Sequence, residues 1–352
     1  MPDTFATDLL RRMAVPLLSL LLSACSTIDY YAHLVQGQWQ LLHAREPVQR
    51  LLEDPATAPD LARRLALSQQ ARDFASTQLQ LPENRSYRLY ADLERPFVVW
   101  NVFATPEFSL EPELHCFPIA GCVAYRGYYQ QGRARGAAAL LRQQGLDTYV
   151  GGVEAYSTLG WFDDPLLNTM LRWSDARFIA VIFHELAHQQ YYLPGDTAFN
   201  ESFATFVERE GLRQWHAARG EAPPAGDDHQ RQQFIELVLA SRERLKQLYA
   251  SDLPEHAMRA AKLAEFERLR HDYRAIRQQW GGQGRYDAWI ESPLNNAKLL
   301  PFGLYDQWVP AFAALFEEQG RDWRAFYAAV AALGRLPQAA RQTKLEDLMR
   351  HH

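Results

Sequence analysis

Residues 178–190 read FIAVIFHELAHQQ and place two histidines four positions apart inside an apolar run. On an α-helix, residues four apart lie one turn above each other on the same face. His184 and His188 can therefore aim both imidazoles at one point, as a tetrahedral zinc ion requires. Glu185 stands about 100° round the helix from His184, close to that point without sharing it. A carboxylate so placed can take a proton from a metal-activated water. Ile179, Ile182, Phe183, Leu186 and Ala187 cover the remaining surface, so a buried helix is expected, with Ser174 as its N-cap and Asp175 favourable in the first turn.

A coincidental pair of histidines on a core helix would look the same, so a third ligand is needed. A catalytic zinc takes three protein groups and keeps one position open. Glu201 and Glu208 follow on what reads as a second helix, seven positions apart and on one face. Either can reach the metal.

Composition sets outer bounds. The chain has 352 residues, is 47% apolar and 22% charged, and carries a formal charge of −5. It is long enough for a substantial core in one large or two modest domains. No lysine- or arginine-rich run occurs, which argues against nucleic acid as a partner.

Residues 1–24 read as a targeting segment outside the fold. Arg11 and Arg12 precede the apolar stretch Met13–Leu22, whose ten residues fall short of the roughly 20 needed to span a bilayer. Leu22-Ser23-Ala24-Cys25 looks like a bacterial lipobox, so cleavage would leave an acylated Cys25. A plain secretory signal is the alternative. Ser26 after the cysteine resembles an outer-membrane address, which would anchor the protein in the lipid bilayer facing the periplasm. In that oxidising compartment the remaining cysteines, Cys116 and Cys122, are expected to form a structural disulfide.

Helical spacing is expected over 29–44 and 60–78, strands over 86–93 and 96–105, a helix over 133–143, and short strands over 147–152 and 156–161. After the loop EAPPAGDD at 221–228, the stretches 228–250 and 254–280 form a helical hairpin, and 308–318 is helical again. These divide the mature chain into an N-terminal helical layer (25–85), a catalytic core (86–220) and a C-terminal helical region (221–352). The expected class is α+β and predominantly helical, with a small mixed sheet, an active-site helix pair and a C-terminal hairpin.

Two resemblances bear on activity. HELAHQ together with Asn200-Glu201-Ser202-Phe203-Ala204 is similar to aminopeptidase N-like enzymes, whose N-E-G-F-A segment supplies the third zinc ligand. That favours Glu201. Nineteen residues between His188 and Glu208 match the thermolysin-like interval and favour Glu208, which otherwise serves as a carboxylate behind the ligands. Gly151-Gly152-Val153-Glu154-Ala155 partly resembles the G-x-M-E-N element of the same enzymes, whose Glu holds the substrate's α-amino group. Val153 and Ala155 depart from that pattern.

The lipobox, CFPIAGCVAYRGYY at 116–129, GGVEAYSTLGWF at 151–162 and the zinc segments together resemble a family of bacterial lipoproteins known as predicted aminopeptidases. The resemblance implies a zincin-like peptidase with a peptide substrate, Zn²⁺ held by His184, His188 and Glu201, Glu185 as general base, and Glu154 at the substrate amine. Such enzymes also need an oxyanion donor, often a late tyrosine or histidine. Tyr305 is the first candidate, followed by Tyr191, Tyr192 and Tyr156.

Overall fold

The computed structural model describes residues 28–117, 121–155, 157–222, 227–282, 284–302 and 307–350. Two compact units meet at Arg45 and Glu46. Among its described residues the first carries a single helix, α1 (28–43), closed in its last turn where His43 Nδ1 meets Trp39 O at 2.9 Å. A short strand, β1 (Arg45–Pro47), marks the junction.

The second unit is α+β and predominantly helical, as expected. Helices α2 (Val48–Glu53) and α3 (Pro59–Thr77) come first. Strand β2 (Leu89–Ala91) then pairs in parallel with β8 (Leu166–Leu167). The main sheet is antiparallel. Its centre is β3 (Val99–Pro106), flanked by β6 (Arg126–Tyr128) and by β7 (Leu146–Val153). β3 and β7 pair along their whole length, from Val99 opposite Val153 to Pro106 opposite Leu146. The outer edge of β7 has no strand partner among the described residues. Helix α4 (Gln131–Gln143) crosses β3 and β7, burying Ala134 and Ala138. Those small side chains, one turn apart, let helix and sheet approach closely. Strands β4 (His115–Phe117) and β5 (Gly121–Val123) form a separate hairpin.

The stretch 157–161, expected as a strand, is a turn. Leu159 and Gly160 adopt φ of 57° and 81°, outside the extended region. Asp164, only 2% exposed, draws the chain inward: its carboxylate accepts from Thr158 N at 2.9 Å and Thr158 Oγ1 at 2.7 Å. A local side-chain acceptor thus replaces the strand ladder.

The core lies round α5 (Asp175–Gln190) and α6 (Thr197–Arg219), with α3 against α5 and α11 (Val309–Glu318) against α6. α6 presents Phe199, Phe203 and Phe206 at helical spacing to Phe312 of α11 and Phe326 of α12 (Trp323–Gly334). Phe199, Phe203, Phe312 and Phe326 are fully buried, each contributing about 1.5–3 kcal/mol by leaving water. Buried Arg72 on α3 donates to Ser86 O at 3.0 Å and Pro82 O at 2.6 Å, tying 82–86 to the helix. α13 (Gln338–Arg350) packs on α11.

Helices α7 (Asp227–Tyr249) and α8 (Glu255–Gln279) form the expected hairpin. Phe234, Val238 and Leu245 of one pack with Phe266, Leu269 and Tyr273 of the other. Two short helices, α9 (Asp287–Glu291) and α10 (Asn296–Leu299), return the chain to the sheet.

Candidate metal centre

Three interactions fix the start of α5. Ser174 Oγ accepts from Arg177 N at 3.4 Å, Asp175 meets Arg63 at 2.8 Å, and Asp175 also pairs with buried Arg64. A cap of this kind contributes about 1 kcal/mol. Phe178, Ile182, Phe183 and Leu186 are fully buried, so the helix cannot rotate without exposing them. That locks the direction of His184 and His188.

α6 is brought alongside by a short connection, 191–196, held at both ends. Asn200 Nδ2 donates to Leu193 O and Asn200 Oδ1 accepts from Leu193 N, both at 2.7 Å. Asp196 caps α6 by accepting from Phe199 N at 3.1 Å, and its other oxygen meets Arg341 at 2.7 Å. Further along, Gly211 permits the close approach of the helices. A Cβ there would lie 2.7 Å from Leu79 Cδ1 and 3.0 Å from Phe183 Cδ2.

Between the helices three donor atoms converge. His184 Nε2 lies 3.2 Å from His188 Nε2 and 3.4 Å from Glu201 Oε2, and His188 Nε2 lies 3.7 Å from the same oxygen. Donors about 2.0–2.2 Å from a tetrahedral ion stand about 3.3–3.6 Å apart, so each edge of the triangle lies within about 0.1 Å of the range for one tetrahedral face. His184, His188 and Glu201 form a group able to hold a metal ion, and their two nitrogens and one oxygen suit zinc. Glu208 Oε2 sits on the far side of His184, 3.0 Å from Nδ1. A hydrogen bond there puts the proton on Nδ1 and leaves Nε2 its lone pair. His188 Nδ1 is buried with no partner among the described residues.

The electrostatics match this geometry. Burial pushes the carboxyls of Glu201 and Glu208 up, but both histidines at Glu201, and His184 with Arg231 and Arg209 at Glu208, outweigh it and hold each at about 2. Burial works against a charged His184, yet hydrogen bonds to Glu201 and Glu208 raise its proton affinity well above the usual value. The pocket between the helices thus attracts positive charge. Glu185 behaves oppositely: burial raises its proton affinity, only partly offset by the two histidines.

A cavity of about 370 Å³ opens beside His184 and Glu185. The end of β7 forms one wall with Gly152 and Val153, followed by Glu154. Trp173 Nε1 donates to Glu154 Oε2 at 2.7 Å, and Arg177 lies 3.7 Å from the same oxygen. Arg177, Arg231 and Arg285 also line the cavity.

The tyrosines divide. Tyr191 turns away from the centre: a Cβ on Gly334 would lie within its phenol. Tyr192 faces His188, ring centres 6.4 Å apart. Tyr125, which sequence reasoning passed over, stands near both Glu201 and Glu185, with its proton affinity raised first by burial and then by those charges. Its position follows from the hairpin before it. Gly121, at φ 72°, packs on the backbone of Gly195 so closely that a Cβ would meet Gly195 N at 2.7 Å. Cys116 and Cys122, opposite one another on that hairpin, are joined by a disulfide. Cys25, Tyr156 and Tyr305 lie outside the described residues.

The sequence profile of a family described as "Putative aminopeptidase" matches residues 29–345. No curated protein and no solved structure matches the chain significantly.

Proposed function

Because this chain belongs to the Putative aminopeptidase family, we propose that it is a zinc-dependent, zincin-like peptidase that removes N-terminal residues in the bacterial cell envelope. The observation carrying the reading is the triangle of His184 Nε2, His188 Nε2 and Glu201 Oε2 with buried Glu185 beside it. Zinc held there supplies a Lewis acid and an acidified water. Glu185 takes the proton of the attacking water and passes it to the leaving amine. Its raised proton affinity suits both halves of that transfer. Glu208 holds His184 in the tautomer whose Nε2 is a ligand. Among the described residues, Tyr125, coupled electrostatically to Glu201 and Glu185, and Tyr192, facing His188, are the phenols we assign to the developing oxyanion.

The edge of β7, which has no strand partner among the described residues, offers backbone groups to an extended peptide towards Gly152 and Val153, and Glu154 at its end is the acid available to a substrate ammonium. The envelope location rests on the targeting pattern and acylation of Cys25, and the Cys116–Cys122 disulfide supports export to an oxidising compartment. No described helix is long and apolar enough to cross a membrane.

A second reading, an endopeptidase, is favoured by one observation: Glu154 Oε2 is already engaged by Trp173 and Arg177. Cleavage of a peptide library with free and with acetylated N-termini, with and without chelator, tests both. Loss on acetylation supports the exopeptidase, equal cleavage supports the endopeptidase, and no metal-dependent cleavage of either set overturns both.

A further inference from the structure

Helix α1 (28–43) has three faces. Tyr30, His33 and Leu41 share the first and are buried. Asp29, Gln36, Gln40 and His43 share the second, which is exposed and polar. The third is apolar and open to solvent: Ile28 is 68% exposed, Tyr31 41%, Val35 68% and Trp39 62%. Steps of three and four residues put these four in one stripe along the helix, on the side away from Tyr30 and Leu41. A single exposed apolar side chain is ordinary, whereas a stripe of four marks a contact surface.

The stripe's place in the chain says what covers it. Cys25, the expected site of acylation, precedes Ile28 by three residues, which span at most about 11 Å. An acyl group in the bilayer therefore holds the start of α1 at the headgroups. The helix suits that place. At about 1.5 Å per residue it is about 24 Å long, too short for a hydrocarbon core of about 30 Å, so its fit is to the surface of a membrane. Asp29 is the one Asp, Glu, Lys or Arg between 28 and 44, so laying the stripe on lipid dehydrates no charge and requires no anionic headgroup. Tyr31 and Trp39 carry an apolar ring with a polar tip, the form that fits the headgroup boundary. His43 backs the indole of Trp39, ring centres 3.8 Å apart.

We propose that the stripe of Ile28, Tyr31, Val35 and Trp39 lays α1 flat on the lipid bilayer, as a second membrane contact beside the acyl chains. The choice of occupant rests on the envelope reading; the surface itself rests on α1 alone. An acyl group fixes one point and leaves the protein free to swivel about it. A helix lying in the interface also fixes the direction in which the chain leaves the surface.

The test uses the mature chain with Cys25→Ser, which removes acylation and, with Cys116 and Cys122 paired, leaves no free thiol. One thiol is then introduced by Val35→Cys on the stripe or Gln36→Cys on the polar face, and labelled with an environment-sensitive fluorophore. Phosphatidylcholine vesicles should brighten and blue-shift the label at position 35 and leave the label at position 36 as in water. In flotation with the same vesicles, Val35→Gln combined with Trp39→Gln should lower the partition by about 10- to 100-fold, the loss for two half-buried apolar side chains. Raising salt from about 50 to about 500 mM should change neither readout, because the stripe carries no charge. Binding that requires phosphatidylglycerol and is lost in salt overturns the stripe as the contact, as does a label at position 35 that stays in water. Shielding of position 35 without lipid, growing with protein concentration in sedimentation, gives the stripe to a second copy of this chain and overturns the membrane assignment. The anchor is read separately. Vesicle binding through the stripe, with wild type unacylated in cells, keeps the surface and overturns the lipid anchor; acylated wild type with no shielding at position 35 does the reverse.

Discussion

Replacing Glu208 by alanine should weaken metal binding without abolishing it, and the size of the loss follows from the structure. The carboxylate accepts from His184 Nδ1 at 3.0 Å, and its side chain is only 18% exposed, so solvent screens it little. A hydrogen bond to a charged group in such surroundings contributes about 1.5–3 kcal/mol. Removing the carboxylate behind a metal-bound histidine costs about 10- to 100-fold in affinity, which is about 1.4–2.7 kcal/mol and agrees with that range. Glu208→Gln keeps an oxygen for Nδ1–H and loses only the charge, so its loss should be smaller. Glu201→Ala removes one of three donor atoms and should exceed both. Competition with a chromogenic chelator at neutral pH reads all three affinities, and far-UV circular dichroism checks that each variant folds. If Glu208→Ala loses as much as Glu201→Ala, Glu208 is itself a ligand and the assignment of the triangle is wrong.

Other outcomes follow from single groups. Glu185→Gln should keep its metal and lose hydrolysis; turnover retained with metal bound would refute its role as base. Cys122→Ser should lower stability to urea by about 2 kcal/mol, since it opens a short cross-linked loop, whereas two titratable thiols in the native protein would refute the bond. Lys298 is 2% exposed and burial depresses its pKa to about 8, against 10.5 in the open chain. Below about pH 8 the lysine is charged in both states; between there and 10.5 the folded chain holds fewer protons, so its contribution to stability rises with pH. Wild type should therefore gain on Lys298→Met by up to about 3 kcal/mol as pH climbs through that window, and a flat difference in unfolding free energy would contradict this. A labelled acyl precursor should enter the protein only while Cys25 is present, with the mature chain fractionating with membranes; a soluble wild type would count against the anchor.

What the sequence made legible is what depends on near neighbours. The helix carrying His184 and His188, its Ser174 cap and the hairpin of α7 and α8 all rest on local periodicity, and the structure has them within a residue or two of expectation. Strands β3 and β7 were readable for the same reason. The turn at 157–161 was not, because its apolar pattern is overruled by Asp164, whose pull depends on its burial beneath the loop. Tyr125, Arg231 and Arg285 reach the cleft from three separate segments, and no spacing along the chain marks them. A signal for Tyr125 did exist in the cysteine hairpin, which had to dock somewhere, but the contact between Gly121 and Gly195 belongs to the packed state. Tyr191 and Tyr192 show the limit most simply: adjacent positions at the end of a helix point to opposite sides, and only one can face the histidines.

The reciprocal pair between Asn200 and Leu193 bears on how such centres are compared at all. The two bonds act as a phase reference. They set the rotation at which α6 begins, and Glu201, the next residue, inherits its bearing from them. One extra residue after the clamp would swing that carboxylate about 100° off the histidines. An insertion before it, in the connection, could bulge outward and leave the bearing untouched. The number of residues between histidine and glutamate is then free to drift among peptidases, while the angle at which the second helix starts is not. Residue counts and local context can disagree about the third ligand for this reason, and where they do, the clamp is the better ruler.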